Sequence, residues 1–326
     1  MLEHIRVIDL CDGTSQFAGH ILARLGAEVI AVEPVEGVST RHSGPYVADD
    51  PHLDFSLTHW AYNRGKKSVV LDIESEQGRK RFLSLIQSAD ILFEDCQPGY
   101  LESLGLSPVD LANTNPQIIH ASITPYGLTG PRSHWQGTDL TAAAGSSFLY
   151  ASGDADRAPL RIGVPHSFLH GAADAAAASL VALQERNRSG MGQHIDVSAQ
   201  ESLTIGFPQN VAPMENALAA DRMAGGIRIG GMEIPLLFPC LDGYAICVIL
   251  PGAAFAPFCG RLTDWLEEEG ASDENLRSID WVNIGVQLFA GEVSFDAVAA
   301  AFATYGRFLA SKSKADLMAA AAGRKL

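Results

Sequence analysis

The chain has 326 residues, 47% of them hydrophobic and 19% charged, with a formal net charge of −15. That length and apolar content allow one large domain or two unequal ones around a core of ordinary size. The negative balance, with no basic cluster larger than Arg64–Lys67 or Arg79–Arg81, argues against a nucleic-acid groove, and no segment reaches the roughly 18 to 20 uncharged apolar residues of a membrane helix.

The five cysteines, Cys11, Cys96, Cys240, Cys247 and Cys259, are odd in number, dispersed and outside any CxxC spacing. With no basic and apolar leader at the first residues, this usage predicts a reducing, cytoplasmic setting. The ten histidines do not fall at ligand spacing with Cys, Asp or Glu, so no metal is expected.

In chain order, the apolar run 5–10 predicts a buried parallel strand, 16–25 a helix and 27–33 a second strand. Such a strand, helix, strand unit belongs to a doubly wound sheet, and the absence of G-x-G-x-x-G gives no sign of a dinucleotide cofactor. Residues 34–59 are polar and rich in Gly and Pro, which predicts a long surface loop with a short helix near 52–60. Strand 67–73, helix 74–88 and strand 89–95 follow, then a Pro98-Gly99 turn, a short helix at 108–113 and a strand at 117–124. This alternation predicts an α/β fold with a mostly parallel, Rossmann-like sheet. Asp139 opens a small-residue helix, a second helix runs from about 169 to 186, and 194–207 reads as a strand entering a helix. A shift to Met, Gly and Ala through 208–231 divides a large domain, 1–215, from a small α+β domain, 216–326. The latter holds a hairpin turning at Asp242-Gly243 and helices near 253–268, 283–290, 294–303 and 312–322.

Four ordered blocks carry a resemblance that covers nearly the whole chain. They are Leu25–Glu33, Asn63–Asp72, Asp90–Gly99 with Leu104-Gly105-Leu106, and the stretch with Gly130-Pro131, Asp139, Gly145, Gly163, Gly190, Gly192-Gln193 and Asp196. Together they resemble the family III CoA-transferases, which also include the α-methylacyl-CoA racemases. The resemblance implies coenzyme A or acyl-CoA and a carboxylic acid as substrates, with no metal and no nucleotide cofactor. It also implies a small domain inserted before a C-terminal return to the large one, a segment this sequence lacks.

Members of that family form an acyl-enzyme anhydride on one aspartate, which needs a carboxylate able to attack a thioester beside donors that stabilise the oxyanion. Counting back without gaps from the Ser189–Gln193 motif places that aspartate at Phe168, which cannot be a nucleophile. A one-residue slip offers Ser167 or Leu169, with His166 and His170 close by. The racemase pair is absent as well, Thr138 standing where its histidine would be. Asp139 remains as an acid, either capping its own helix or meeting substrate, whereas Asp174 reads as a solvated helix residue.

Coenzyme A carries close to four negative charges, and its sites usually supply Arg or Lys. The resemblance places basic residues near Pro34, Gln97 or Ser103, and Gln136, and none of these is basic. Arg41, Lys66 and Lys67 remain as candidate cations, and Arg41, Leu71, Asp95, Cys96 and Tyr126 outline a degenerate CoA site; Cys96 reads as an inert buried thiol. Also, Thr14-Ser15-Gln16 replaces an Ala-Gly-Pro signature.

The reading is therefore a non-catalytic subunit that moves CoA between an acyl-CoA and an acid only beside a homologous catalytic chain. Two-component enzymes of the succinyl-CoA:benzylsuccinate CoA-transferase type are the nearest analogue. The alternatives are a self-sufficient transferase using Asp139 and a CoA-binding or regulatory protein. None of these readings involves nucleic acid or a membrane.

Overall fold

Short apolar runs between turn residues become six parallel strands: β1 (Arg6–Asp9), β2 (Glu28–Glu33), β3 (Lys67–Val70), β4 (Ile91–Glu94), β5 (Ile119–Thr124) and β6 (Gln193–Ser198). The computed structural model describes residues 1–154, 156–206, 225–229 and 232–326. The strands form one sheet in the order β3-β2-β1-β4-β5-β6, the doubly wound arrangement expected from the alternation of strands and helices. β1 pairs with both β2 and β4, so the winding reverses there.

Helices cover both faces. α1 (Phe17–Arg24) and α7 (Ser167–Ser189) pack on one, where Val7, Phe93, Ile119 and Ile123 meet Ala18, Leu22, Ala172 and Ala175. On the other face Ile8, Val32 and Leu92 meet α3 (Glu76–Ile86), α4 (Tyr100–Ser103) and α5 (Pro108–Thr114) through Phe82, Ile86, Leu101 and Leu111. Alternation along each strand sends successive side chains to opposite layers, and β4 and β5 are buried at every residue as a doubly covered parallel strand requires.

The small residues of α7 allow it to lie close on the sheet. A Cβ at Gly171 would come 3.2 Å from Ile123 Cγ2, and one at Gly192 would sit 2.0 Å from the Ile118 carbonyl oxygen. Gly190 ends α7 in a left-handed conformation, φ 74°, so both glycines of the Ser189–Gln193 motif are required by the backbone that carries the chain into β6.

The predicted loop 34–59 contains two 3-10 turns, Ser39–His42 and Val47–Asp49, and its helix, α2 (Leu57–Asn63), lies further on than expected because Ser56 supplies the cap, accepting the His59 N–H. α6 (Asp139–Gly145) and α8 (Ala199–Gly206) complete the first unit, Met1–Tyr150 with Leu160–Ala220. The second unit comprises Ala151–Pro159 and Asp221–Leu326. The expected boundary at 215 and 216 lies outside the described residues.

That second unit holds two antiparallel pairs, β7 (Gly226–Ile229) with β8 (Met232–Pro235) and β9 (Leu237–Cys240) with β10 (Gly243–Ile246). The β9–β10 turn is Leu241-Asp242, one residue before the predicted Asp242-Gly243, because Gly243 already pairs with Cys240 as the first residue of β10. The helices are α9 (Ala256–Glu268), α10 (Glu274–Ser278), α11 (Ile284–Ala290), α12 (Phe295–Ala310) and α13 (Lys314–Arg324). α10 was not foreseen: five residues are too few for an apolar period, and its signal is Asp273, which accepts the Leu276 N–H as cap. Trp265 and Phe308 meet edge to face at 4.8 Å within this unit's core. No described helix is long and apolar enough to cross a membrane.

A buried ion pair fixes the carboxyl end of β1. Lys66 Nζ donates to Asp9 Oδ2 at 2.6 Å, to the Gln16 carbonyl at 2.7 Å and to Asn63 Oδ1 at 2.9 Å, with both charged side chains about as buried as the apolar core. Gly19 makes the room, since a Cβ there would lie 2.2 Å from Asp9 Oδ2. Lys66→Met, which strands the Asp9 charge, is expected to cost about 3–5 kcal/mol in urea unfolding, while the double change Asp9→Asn with Lys66→Met costs less. Equal losses for the single and double variants would show that the pair is not the source.

Candidate functional site

A cleft of about 540 Å³ opens beyond the carboxyl ends of β1 to β4, beside the point where the winding reverses. Ligands of open α/β sheets bind in this position. Leu10, Val32, Leu71 and Ile73 give it an apolar floor, and Asp12, Glu33, Glu36, Asp72, Glu74 and Asp95 also line it, with no Lys or Arg among the lining residues.

Most of these carboxylates hold the loops that make the cleft. Asp12 Oδ1 accepts from the Gly13 N–H at 2.6 Å and from the N–H and hydroxyl of Ser39 at 2.8 and 2.7 Å. Asp72 Oδ1 accepts the Glu74 N–H at 3.0 Å, and Asp95 Oδ1 accepts the Asp12 N–H at 2.9 Å. Burial raises the Asp95 carboxyl to about 8, against the pull of its hydrogen bonds from Asp12 and Ser15, so at neutral pH it is mostly a neutral donor. Burial also pushes Glu33 upward, but hydrogen bonds from Arg41 and Ser68 outweigh it and hold Glu33 at about 2.

The sequence candidates divide accordingly. Leu71, Asp95 and Cys96 line the cleft. Arg41 does not, because both edges of its guanidinium are engaged: Nε and Nη2 donate to Glu33 at 2.5 and 2.8 Å, and Nη1 reaches Asp54 at 3.1 Å. Lys66 is buried against Asp9, and Lys67 pairs with Glu28 at 2.7 Å. Tyr126 lies elsewhere, its hydroxyl donating to Thr141 at 3.0 Å and its ring edge-on to Trp135 at 6.2 Å. Burial, followed by the charges of Glu94 and Asp95, pushes the Cys96 thiol far up, which keeps it protonated and inert.

The second locus lies at the start of α7. Phe168 packs partly buried against the core cluster beneath that helix. Ser167 is fully buried, donating its N–H to Asp139 Oδ1 at 2.9 Å and its hydroxyl to the Asp139 carbonyl at 3.0 Å. The expectation that Asp139 caps its own helix is corrected here. Thr138 caps α6 in a capping box with Thr141, because its hydroxyl already meets the Thr141 N–H. Asp139 instead satisfies an amide at the start of α7, and its Oδ2 is 4.0 Å from Arg161. His166 makes no side-chain cap bond and its ring lies 5.5 Å from Phe148, while Asp174 is exposed on α7.

Sequence reasoning missed a polar row inside the sheet, formed by Glu94, His120, Ser122 and His194. Its signal was present: His120, Ser122 and Thr124 alternate within an otherwise apolar strand, a pattern that sets polar groups on one buried face. Among the described residues no group of three or more His, Cys, Asp or Glu is arranged to hold a metal.

Comparison with known proteins gives the setting of this geometry. The profile of CoA-transferase family III matches residues 2–319. Succinyl-CoA:(R)-benzylsuccinate CoA-transferase subunit BbsE of Thauera aromatica is 34% identical over 323 residues, spanning 97% of this chain and 75% of that protein. Succinyl-CoA:glutarate CoA-transferase of Mus musculus is 34% identical over 263 residues, 79% of this chain and 58% of its own length. Among solved structures, a CAIB/BAIF family protein from Brucella suis superposes with a TM-score of 0.77 at 28% identity, covering 98% of this chain and 81% of that one. Rv3272 from Mycobacterium tuberculosis gives 0.72 at 27% identity, covering 97% and 80%. With its whole described fold and nearly all of its sequence matched, the chain belongs to CoA-transferase family III, the enzymes that move CoA from an acyl-CoA to an acid.

Proposed function

We propose that this chain is a non-catalytic subunit of a heteromeric family III CoA-transferase, working in the cytoplasm beside a homologous chain that bears the acyl-accepting carboxylate. Phe168 carries the reading. It falls where the ungapped count from Ser189–Gln193 puts the nucleophile, and its side chain packs against the core. Thioester attack needs a carboxylate with a free oxygen directed at the acyl carbon. Asp139, the nearest acid in this stretch, spends one oxygen on the Ser167 amide, and its other oxygen lies close to Arg161.

The cleft supports the same reading. Six acidic side chains, of which Asp95 is mostly neutral, and no cation line it, whereas a pyrophosphate and a 3′-phosphate call for Arg or Lys. Leu71, Asp95 and Cys96 form a remnant of a CoA site that offers a phosphate no cation. A relative, BbsE, is itself named as a subunit of a CoA-transferase that takes succinyl-CoA. By that analogy the substrates are an acyl-CoA such as succinyl-CoA and a carboxylic acid. The two packed units support the division into a large sheet domain, 1–215, and a smaller α+β domain, 216–326.

Purified alone with succinyl-CoA and a dicarboxylic acceptor, the chain is expected to show no turnover, and hydroxylamine to trap no acylated carboxylate on it. Activity is expected on adding a homologous chain with an aspartate at the position of Phe168. Trapping on Asp139 would instead establish a self-sufficient enzyme. In calorimetry, coenzyme A is expected to bind the isolated chain no tighter than about 1 mM. Micromolar binding without turnover would favour a CoA-binding regulatory protein.

A further inference from the structure

β5 is buried at all six residues, yet His120, Ser122 and Thr124 point to one face of it. The register sets Glu94 beside Ser122 and His120 beside His194, so three adjacent strands contribute to one polar row. Ser122 Oγ lies 2.9 Å from His194 Nε2 and 3.4 Å from His120 Nε2, and His120 Nε2 lies 3.5 Å from Glu94 Oε1. The two imidazole centroids are 4.7 Å apart. Glu94 Oε2 accepts the Cys96 N–H at 2.8 Å. Contacts therefore run from the edge strand β6, where His194 meets solvent, to the backbone of the Asp95–Gly99 turn, and that turn places Asp95 and Cys96 in the wall of the cleft.

We infer that the row Glu94, His120, Ser122 and His194 is a pH-sensitive latch on the Asp95–Gly99 turn, closed when His194 is neutral and loosened when it is protonated. A protonated His194 carries N–H on both ring nitrogens, so its Nε2 can no longer accept the Ser122 hydroxyl, and its charge stands 4.7 Å from the centre of the His120 ring. His120 Nδ1 is buried without a hydrogen-bond partner, so the polar contacts of the inner ring all run through Nε2, to Ser122 and Glu94. Besides Glu94 and His120, the titratable groups facing His194 are Asp196 on its own strand and Glu102 on α4, both of which favour its charged form. The Cys96 thiol faces Glu94 from the turn and stays neutral.

Burial first, and then the neighbouring His120, hold the His194 ring below its ordinary value of 6.5 despite those acids. The closed latch thus binds fewer protons than the open one. Its stability is complete above about 6.5 and falls as the pH drops below that toward the depressed value. The inference is independent of whether the chain is catalytic.

Hydrogen exchange of the full chain, read by mass spectrometry on peptides across residues 94–104 at pH values from about 7.5 to 5.5 and corrected for intrinsic rates, tests it. Protection of the turn is expected to fall on acidification by a factor of about ten for each pH unit by which the His194 ring is depressed, while peptides from β1 keep theirs. His194→Gln is expected to remove that pH dependence, and Ser122→Ala, which cuts the row internally, to weaken it. A turn whose protection ignores pH, or one whose pH dependence survives His194→Gln, overturns the latch. Should the variants fail to fold, histidine NMR of the unmodified chain decides: His194 titrating with no matching shift at the Cys96 amide overturns it equally.

Discussion

Asp9 and Lys66 are the constraint on which the rest of the sheet domain depends. A carboxylate at the carboxyl end of the central strand is placed where the winding reverses, and it is buried almost completely, so a cation has to reach it. Lys66 does so from the turn between α2 and β3, and its other donors bind Gln16 at the start of α1 and Asn63 at the end of α2. Gln16 Oε1 and the Thr40 hydroxyl meet at 2.9 Å, which extends the same network into the long loop that lies over the cleft. One ammonium group thereby joins the first strand, the first two helices and that loop.

The network also explains why cations named from the sequence do not line the cleft. Lys66 and Arg41 both lie close to it in the chain, and each is used to neutralise an acid at a strand end, Asp9 for the one and Glu33 for the other. A bidentate guanidinium–carboxylate pair with little solvent access leaves few donors for a phosphate. The remaining acids keep their loops in shape through backbone amides, as Asp12 does for Gly13 and Ser39. The acids therefore shape the cleft, and none of its lining residues is a cation that could meet a phosphate.

Much of the fold could be read from the sequence because β1, β2 and β4 are short, mainly apolar runs that end at or beside Asp or Pro, and because helices such as α1 and α3 keep a clear amphipathic period. The site was less legible, for a local reason. Asp139 carries the marks of an N-cap, but Thr138 fills that role, and the aspartate turns across to the start of α7, a contact 28 residues away that no window can contain. The Glu94, His120, Ser122 and His194 row escaped in the same way: its spacing is visible within β5, but its chemistry appears only when the register aligns three strands separated by up to 100 residues. What the sequence did contain was the Gly190 and Gly192 turn, where a left-handed φ and a close approach to the Ile118 carbonyl both call for glycine.

The start of α7 is where packing and chemistry compete for the same residues. A helix lined by Gly171, Ala172, Ala175 and Ala176 sits so close to β5 that its first turn gains most from a large apolar side chain reaching into the core, which is what Phe168 supplies. A carboxylate in that place would need its own donors or solvent to remain charged, and the nearest buried amide, that of Ser167, is already bound to Asp139. The helix is anchored at this turn by the packing of Phe168 on one side and by the Asp139 bond on the other. Phe168 therefore contributes to the scaffold at the point where the helix meets the sheet, whatever chemistry the chain takes part in.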